Sequence, residues 1–117
     1  MRSEVSGHTK VLGILADPIH HIRTPQLINR EIARRGVDAL MVPFHVRALD
    51  LPGFVKSLRS MRNLLGFVAT VPHKPAMRDL CDAVTPAARR AGAVNVVRRE
   101  PDGTLHGAML DGDAFVT

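Results

Sequence analysis

Three stretches of the sequence place chemically capable side chains where an apolar run ends. The first is residues 17–25, DPIHHIRTP, which leads from an apolar run into a Thr-Pro helix start. The second is residues 69–74, ATVPHK, whose Lys74 is of a type that serves as a general acid or base. The third joins residues 92–95, GAVN, to residues 107–112, GAMLDG. These residue types favour anion binding and proton transfer.

Each stretch also has a purely structural interpretation. The first can be a connector with exposed histidines. Lys74 can be a surface lysine in the first turn of a helix, although the helix dipole disfavours a cation there. Asn95 interrupts an apolar run, so its amide either bonds backbone or meets a ligand. Asp111 taken alone is better explained as a helix cap.

Strand-like and helix-like segments alternate along the chain, and this alternation predicts an α/β fold. The predicted strands are 10–16, 39–46, 64–71, 93–99 and 104–110, and the predicted helices are 24–35, 50–61, 75–83 and 85–92. Thr24, Asp50 and Thr85 are expected as N-caps. The order predicts a mostly parallel open sheet of about five or six strands, with helices on both faces and one antiparallel hairpin at the end.

Pro43 lies inside the second predicted strand and places that strand at an edge of the sheet or at a bulge. Ligands of open α/β sheets bind outside the carboxyl ends of the strands. Since Lys74 and Asp111 both follow predicted strands, we expect them to approach each other at this edge.

The composition is that of one globular domain. The chain has 117 residues, 45% of them hydrophobic, with a net charge of +5. The arginines are scattered, without aromatic residues among them, which favours solvated element ends over a nucleic-acid surface. No apolar run is long enough for a membrane span and no secretory signal is visible. The single Cys81 fits a reducing compartment, so we expect a cytoplasmic protein.

Two kinds of site find no support in the sequence. His20 and His21 are adjacent and point apart in an extended loop, and Cys81 has no partner at ligand spacing, so no metal site is predicted. The chain also has no Gly-x-Gly-x-x-Gly stretch and therefore no dinucleotide fingerprint.

Taken together, the three stretches resemble the N-terminal, substrate-binding domain of the shikimate dehydrogenase family. That family reads Pro-Ile-x-His-Ser-x-Ser-Pro, Thr-Val-Pro-His-Lys, Gly-Ala-Val-Asn-Thr and Gly-x-Asn-Thr-Asp-Gly. This chain has PIHHIRTP at 18–25, TVPHK at 70–74, GAVNV at 92–96 and GAMLDG at 107–112, in the same order. The resemblance covers residues 10–117, and residues 1–9 are expected to form a flexible tail.

The resemblance implies oxidation of a ring hydroxyl of shikimate or a related hydroxy acid, with the substrate in this domain. Lys74 and Asp111 would be the proton-transfer pair, and Thr70 and Asn95 would bind substrate hydroxyls. Thr24 would hold the substrate carboxylate. The cofactor, NADP or NAD, would be bound by a second domain that is absent from this chain.

Departures from the family pattern fall on the same implied site. Ile22 stands where the first motif has a serine, Val96 where the third has a threonine, and Met109-Leu110 where the fourth has Asn-Thr. We therefore expect a pocket that is more apolar and discriminates against shikimate. Arg23 would supply a replacement carboxylate partner, since guanidinium binds carboxylate bidentately.

Two hypotheses remain open at this point. The chain is either the substrate-binding catalytic domain of a dehydrogenase, or a small-molecule sensor that kept the pocket and lost the chemistry. The expected partners are an anionic hydroxy acid and either a second copy of the chain or a separate cofactor-binding domain, with no nucleic acid and no membrane. A lone domain without a cofactor site would be catalytically silent.

Overall fold

A computed structural model describes residues 4–110 of the chain. It contains six strands, four α-helices and one short 3-10 helix within this range. In chain order they are β1 (Lys10–Ala16), α1 (Thr24–Arg34), β2 (Ala39–His45), a 3-10 helix (Ala48–Asp50), α2 (Leu51–Leu58), β3 (Leu64–Ala69), α3 (Lys74–Leu80), β4 (Ala83–Val84), α4 (Pro86–Ala91), β5 (Val96–Arg99) and β6 (Leu105–Ala108).

The strands form one mixed sheet in the order β2-β1-β3-β5-β6-β4. The pairs β1–β2, β1–β3 and β4–β6 are parallel, whereas β5 is antiparallel to both β3 and β6. Five strands therefore run in one direction and β5 alone runs against them. The predicted α/β class with a mostly parallel sheet is confirmed, and β2, the strand that contains Pro43, lies at an edge as expected.

Helices lie on both faces of the sheet. The main hydrophobic core gathers buried side chains of α2, α3 and α4 against one face, including Val55, Met77 and Ala88. Helix α1 contributes no residue to this core and packs on β2. There, the Asn29 side chain bonds the backbone of Met41 in both directions, at 2.7 and 3.0 Å. On the α1 side, shallow apolar grooves over β3, β5 and β6 stay uncovered by any described helix.

The helix ends agree with the sequence signals only in part. Thr85 caps α4 by accepting a hydrogen bond from Ala88 N at 3.2 Å, and Gly92 ends that helix in the left-handed conformation that glycine favours. Thr24 is not a cap, because it is already the first residue of α1 and Arg23 holds the N-cap position. Asp50 occupies the N-cap of α2, but its carboxylate bonds Arg47 at 2.8 Å instead of the helix.

The third helix is shorter than predicted. It ends at Leu80, and Ala83–Val84 form the short strand β4 parallel to β6. A two-residue strand has no periodicity of its own, so only the neighbouring β6 can reveal it. The prediction of a helix through Ala83 was therefore wrong at its C-terminal end.

Residues 6–9 belong to the stretch for which we predicted a loose tail, yet they form a hydrogen-bonded turn. Thr9 is only 3% exposed, and its hydroxyl donates to Asp38 at 2.9 Å. Its backbone N–H donates to Ser6 O at 3.2 Å. Among residues 4–110, no helix has the length and apolar character that crossing a membrane requires.

Candidate functional site

The candidate site lies at the edge of the sheet where β3 ends and β5 begins. Because β5 runs against β3, the residue before β5, Asn95, meets the residues that follow β3. Ala69 N–H donates to Asn95 O at 2.9 Å, and Thr70 N–H donates to Leu15 O, also at 2.9 Å. The sheet therefore brings Thr70 and Asn95 to one edge.

Lys74 is the first residue of α3 and is half-buried at the same edge. Its carbonyl accepts a hydrogen bond from Val94 N–H at 2.9 Å, which ties the start of α3 to the residue before Asn95. Within residues 4–110 no acidic side chain pairs with the Lys74 ammonium. The amine is thus left for a ligand or for a group outside the described range.

Asn95 is 7% exposed, and its side-chain amide hydrogen-bonds the backbone of Leu110. The sequence left open whether the Asn95 amide bonds backbone or meets a ligand, and in the described residues it bonds backbone. One amide hydrogen and one oxygen lone pair are not used by these two bonds, so contact with a ligand is also compatible with this geometry.

The β1–α1 connection supplies the other candidate residues. Asp17 N–H donates to Val71 O at 3.1 Å, so this loop is tied directly to the residues that follow β3. Ile22 and Thr24 are half-buried and Arg23 is exposed at the start of α1. The free N–H groups of the first turn of α1, the Thr24 hydroxyl and the Arg23 guanidinium are groups that bind a carboxylate.

Only part of the expected apolar lining lies at this edge. Leu110 is 40% exposed beside Asn95. Val96 instead lines the uncovered groove on the other side, together with Arg98 and residues of β6, because successive side chains of a strand alternate between faces. Met109 packs against the main core. Asp111 lies outside the described residues, so its approach to Lys74 stays a prediction.

Two further histidine contacts at this edge were not predicted from the sequence. His73 is fully buried, and its Nε2 bonds Val46 O at 2.7 Å, which ties the start of α3 to the residue after β2. His45 at the end of β2 bonds Asp17, and the ring of His20 stands edge-on to it, with centroids 5.3 Å apart. The register between β1 and β2, which pairs Ala16 with His45, brings His45 beside Asp17. The sequence does not show this register.

No group of three or more His, Cys, Asp or Glu side chains in the described part of the chain could hold a metal ion. The described residues do not fit a dinucleotide either. The β1–α1 connection, residues 17–23, contains no glycine that would let the backbone approach a pyrophosphate. What the edge offers is a set of hydroxyl, amide, ammonium and guanidinium groups suited to a small polar anion.

Comparison with known proteins assigns the domain to a family. The family model described as the shikimate dehydrogenase substrate binding domain matches residues 14–97. A shikimate dehydrogenase (NADP(+)) of Geobacter metallireducens is 42% identical over 113 residues, which are 97% of this chain and 39% of that protein. The chain thus spans about two fifths of the length of this relative.

Two solved structures have the same fold. Shikimate 5-dehydrogenase from Listeria monocytogenes, in complex with shikimate and NAD, has a TM-score of 0.89 and 34% identity, covering 99% of this chain and 39% of that one. The ligand-free 5-ketofructose reductase of Gluconobacter sp. strain CHM43 has a TM-score of 0.86 and 30% identity, covering 94% and 39%. The chain belongs to the family of shikimate dehydrogenase substrate-binding domains.

Proposed function

We propose that this chain is the substrate-binding part of an NAD(P)-dependent oxidoreductase that oxidises a ring hydroxyl of shikimate or a related hydroxy acid. One observation carries the proposal most directly. The half-buried Lys74 has no acidic partner among the described residues and lies at the edge that also holds Thr70 and Asn95. The named relatives are a dehydrogenase and a reductase, which supports an enzyme domain over a sensor that has lost the chemistry.

The proposed chemistry divides between proton and hydride. Oxidation of an alcohol removes a hydride from carbon and a proton from oxygen, so a base must stand beside the hydroxyl. The neutral amine form of Lys74 takes that proton and becomes an ammonium, and the Asp111 carboxylate pairs with this ammonium or relays the proton onward. A nicotinamide, NADP or NAD, accepts the hydride when bound. Because the described residues do not fit a dinucleotide, we place the residues that bind it outside the part of the chain that the structure describes.

The substrate is held at both ends in this proposal. Thr70 and Asn95 hydrogen-bond ring hydroxyls beside Lys74, and Thr24 and Arg23 hold the carboxylate at the start of α1. Ile22 offers no hydrogen bond where the family motif has a serine. A polar ligand group left unpaired in such a site costs about 1–3 kcal/mol, so shikimate binds less tightly here than in a site with that hydroxyl.

A second candidate substrate is a ketose without a carboxylate. Ile22 removes one of the two hydroxyls expected to hold that group, and a structurally similar protein is named a 5-ketofructose reductase. The two substrates are distinguished by whether Arg23→Ala weakens binding, because only a carboxylate needs the guanidinium.

The direct test is an NMR titration of the chain with shikimate, with quinate and with 5-ketofructose. We expect shikimate to shift the amide resonances of Thr70, Lys74 and Asn95, and the variant Lys74→Met to weaken that binding. Lys56→Met, at an exposed position on α2, is the matched control and should change nothing. Saturable shifts confined to α2, or equal affinity in the Lys74→Met variant, would contradict the proposed site.

The location and partners belong to the same proposal. We propose a cytoplasmic protein, which the lone Cys81 supports because no disulfide can form within these 117 residues. The proposed macromolecular partner is a cofactor-binding domain or a second copy of the chain, and nucleic acid is not expected. Light scattering of the purified chain at several concentrations distinguishes a monomer from a homodimer.

A further inference from the structure

We propose that Asn95 is a positioning residue whose side-chain amide fixes the backbone at Leu110, and with it the point from which the chain enters Asp111. The inference rests on the proposed function for its meaning, since Asp111 matters as the expected partner of Lys74. It is a second role for Asn95 beside the direct contact with a substrate hydroxyl, because the two bonds to Leu110 leave one amide hydrogen and one oxygen lone pair unused.

The contact between Asn95 and Leu110 is bidentate. Asn95 Oδ1 accepts a hydrogen bond from Leu110 N–H at 2.9 Å, and Asn95 Nδ2 donates to Leu110 O at 2.8 Å. The backbone N–H of Asn95 donates to Ala108 O at 3.0 Å. Asn95 therefore binds Ala108 through its backbone and Leu110 through its side chain. The side chain continues the hydrogen bonding of the β5–β6 pair beyond Ala108, where β6 ends.

The same short segment also fixes the other half of the site. Asn95 O accepts from Ala69 N–H at 2.9 Å, at the end of β3, and Val94 N–H donates to Lys74 O at 2.9 Å. The backbone of Lys74 and the backbone of Leu110 are thus both held by Val94-Asn95. A shift of this dipeptide would therefore displace both Lys74 and Leu110, the residue that precedes Asp111 in the sequence.

An amide is required for this contact because one donor and one acceptor must face the C=O and the N–H of the same residue, Leu110. Alanine supplies neither. An ionised aspartate supplies two acceptors and places a negative charge against Leu110 O. A protonated aspartic acid, in contrast, again offers one donor and one acceptor. Asn95 is 7% exposed, so water cannot readily replace the missing group.

The chain contains a matched control. Asn29 holds the backbone of Met41 through the same pair of bonds, between α1 and β2. Substitution of Asn29 breaks a contact of the same kind between different elements, so a general loss of stability can be separated from a loss of order at Leu110.

The experiment measures amide hydrogen exchange by NMR in the 117-residue chain without ligand. At pH 7 we expect Asn95→Ala and Asn95→Asp to speed exchange at Leu110 at least tenfold, with Leu105 in β6 little changed. At about pH 4, where carboxyls become protonated, Asn95→Asp should regain protection relative to Asn95→Ala measured at the same pH. Asn29→Asp should leave Leu110 protected at pH 7.

Unchanged protection of the Leu110 amide in both Asn95 variants at pH 7 would overturn the proposal. Equal protection of that amide in Asn95→Asp and Asn95→Ala at about pH 4 would also overturn it. Wild-type protein gives a measurement that does not depend on variant folding: a nuclear Overhauser effect between the Asn95 Nδ2 protons and Leu110, whose absence also overturns it. Shikimate binding to the wild-type chain is tested separately. If binding fails while the exchange results hold, the proposed function is wrong and the positioning contact stands.

Discussion

His45 Nε2 lies 2.8 Å from Asp17 Oδ1, so the side chains that end β2 and begin the β1–α1 loop are joined directly. The contact follows from the register of the sheet, in which Ala16 is the Cα partner of His45. The His45 side chain is 45% exposed and the Asp17 side chain 36%, and the His20 ring packs edge-on against the His45 ring. The pair therefore anchors the first residue of the loop that carries Ile22, Arg23 and Thr24.

A double-mutant cycle on this pair should give a small coupling energy. Asp17→Ala, His45→Ala and the double variant are compared by urea denaturation at pH 7. We expect a coupling of about 1 kcal/mol or less, because half-exposed pairs gain little from Coulomb attraction in water. A coupling above about 2 kcal/mol would show that the pair is screened from solvent far more than its exposure indicates.

Restoring hydroxyls at the two apolar positions of the site should tighten shikimate binding. Ile22→Ser with Leu110→Thr is expected to lower the Kd for shikimate about tenfold for each hydrogen bond regained, measured by calorimetry. Val96→Thr is the control and should leave the Kd unchanged, because Val96 lines the groove on the other side of the sheet. Equal affinity of wild type and the double variant would mean that the apolar residues do not set specificity.

Arg99 should contribute substantially to stability although it is charged. It is only 9% exposed, and its guanidinium donates to Arg59 O at 2.7 and 3.1 Å and to Glu100 O at 3.2 Å. Arg99→Leu removes both of these donors from Arg59 O, whereas Glu100 O keeps the hydrogen bond from Gly103 N–H at 2.9 Å. Because Arg59 O loses these hydrogen bonds, we expect the free energy of unfolding to fall by about 1–3 kcal/mol. Arg98→Leu, on the exposed face of the same strand, should cost less than about 1 kcal/mol. Chemical denaturation that ranks the two variants in the opposite order would contradict this assignment.

Asp82 should make the stability of the domain depend on pH in the acid range. Two contacts lower the pKa of Asp82. The larger effect is the hydrogen bond that Leu105 N–H donates to the Asp82 carboxylate at 2.7 Å, and the second is the ion pair with the Arg59 guanidinium. A carboxyl with a lowered folded-state pKa stabilises the fold above its unfolded pKa of about 3.9 and loses that contribution as the pH falls through the folded value. The difference in unfolding free energy between wild type and Asp82→Asn should therefore be present at pH 6 and shrink as the pH falls below about 3.9. A difference that is constant across this range would rule out the linkage.

Much of the framework could be predicted from the sequence because local signals define it. The apolar run 10–16 ends at Asp17-Pro18, and β1 has these bounds. Thr85 and Gly92 bracket α4 as cap residues do. Pro43 indicated the edge position of β2. Each of these signals lies within a few residues of the feature that it predicts.

The resemblance implied that Thr70, Lys74 and Asn95 serve one substrate, and backbone hydrogen bonds between their segments bring the three residues to one edge of the sheet. The expectation was less accurate for the apolar substitutions, because Val96 and Met109 face other parts of the domain. A sequence motif shows which residues are neighbours along the chain, whereas the alternation of a strand decides which face each one occupies.

Tertiary structure alone decided the remaining features. The strand β4 exists because β6 offers it hydrogen-bonding partners, and the reversed direction of β5 is what places Asn95 beside the end of β3. The contacts of Asn95 with Leu110 and of Asp17 with His45 join residues 15 and 28 positions apart. No local propensity encodes such pairs, because their partners meet only when the strand order and register of the whole sheet have been set.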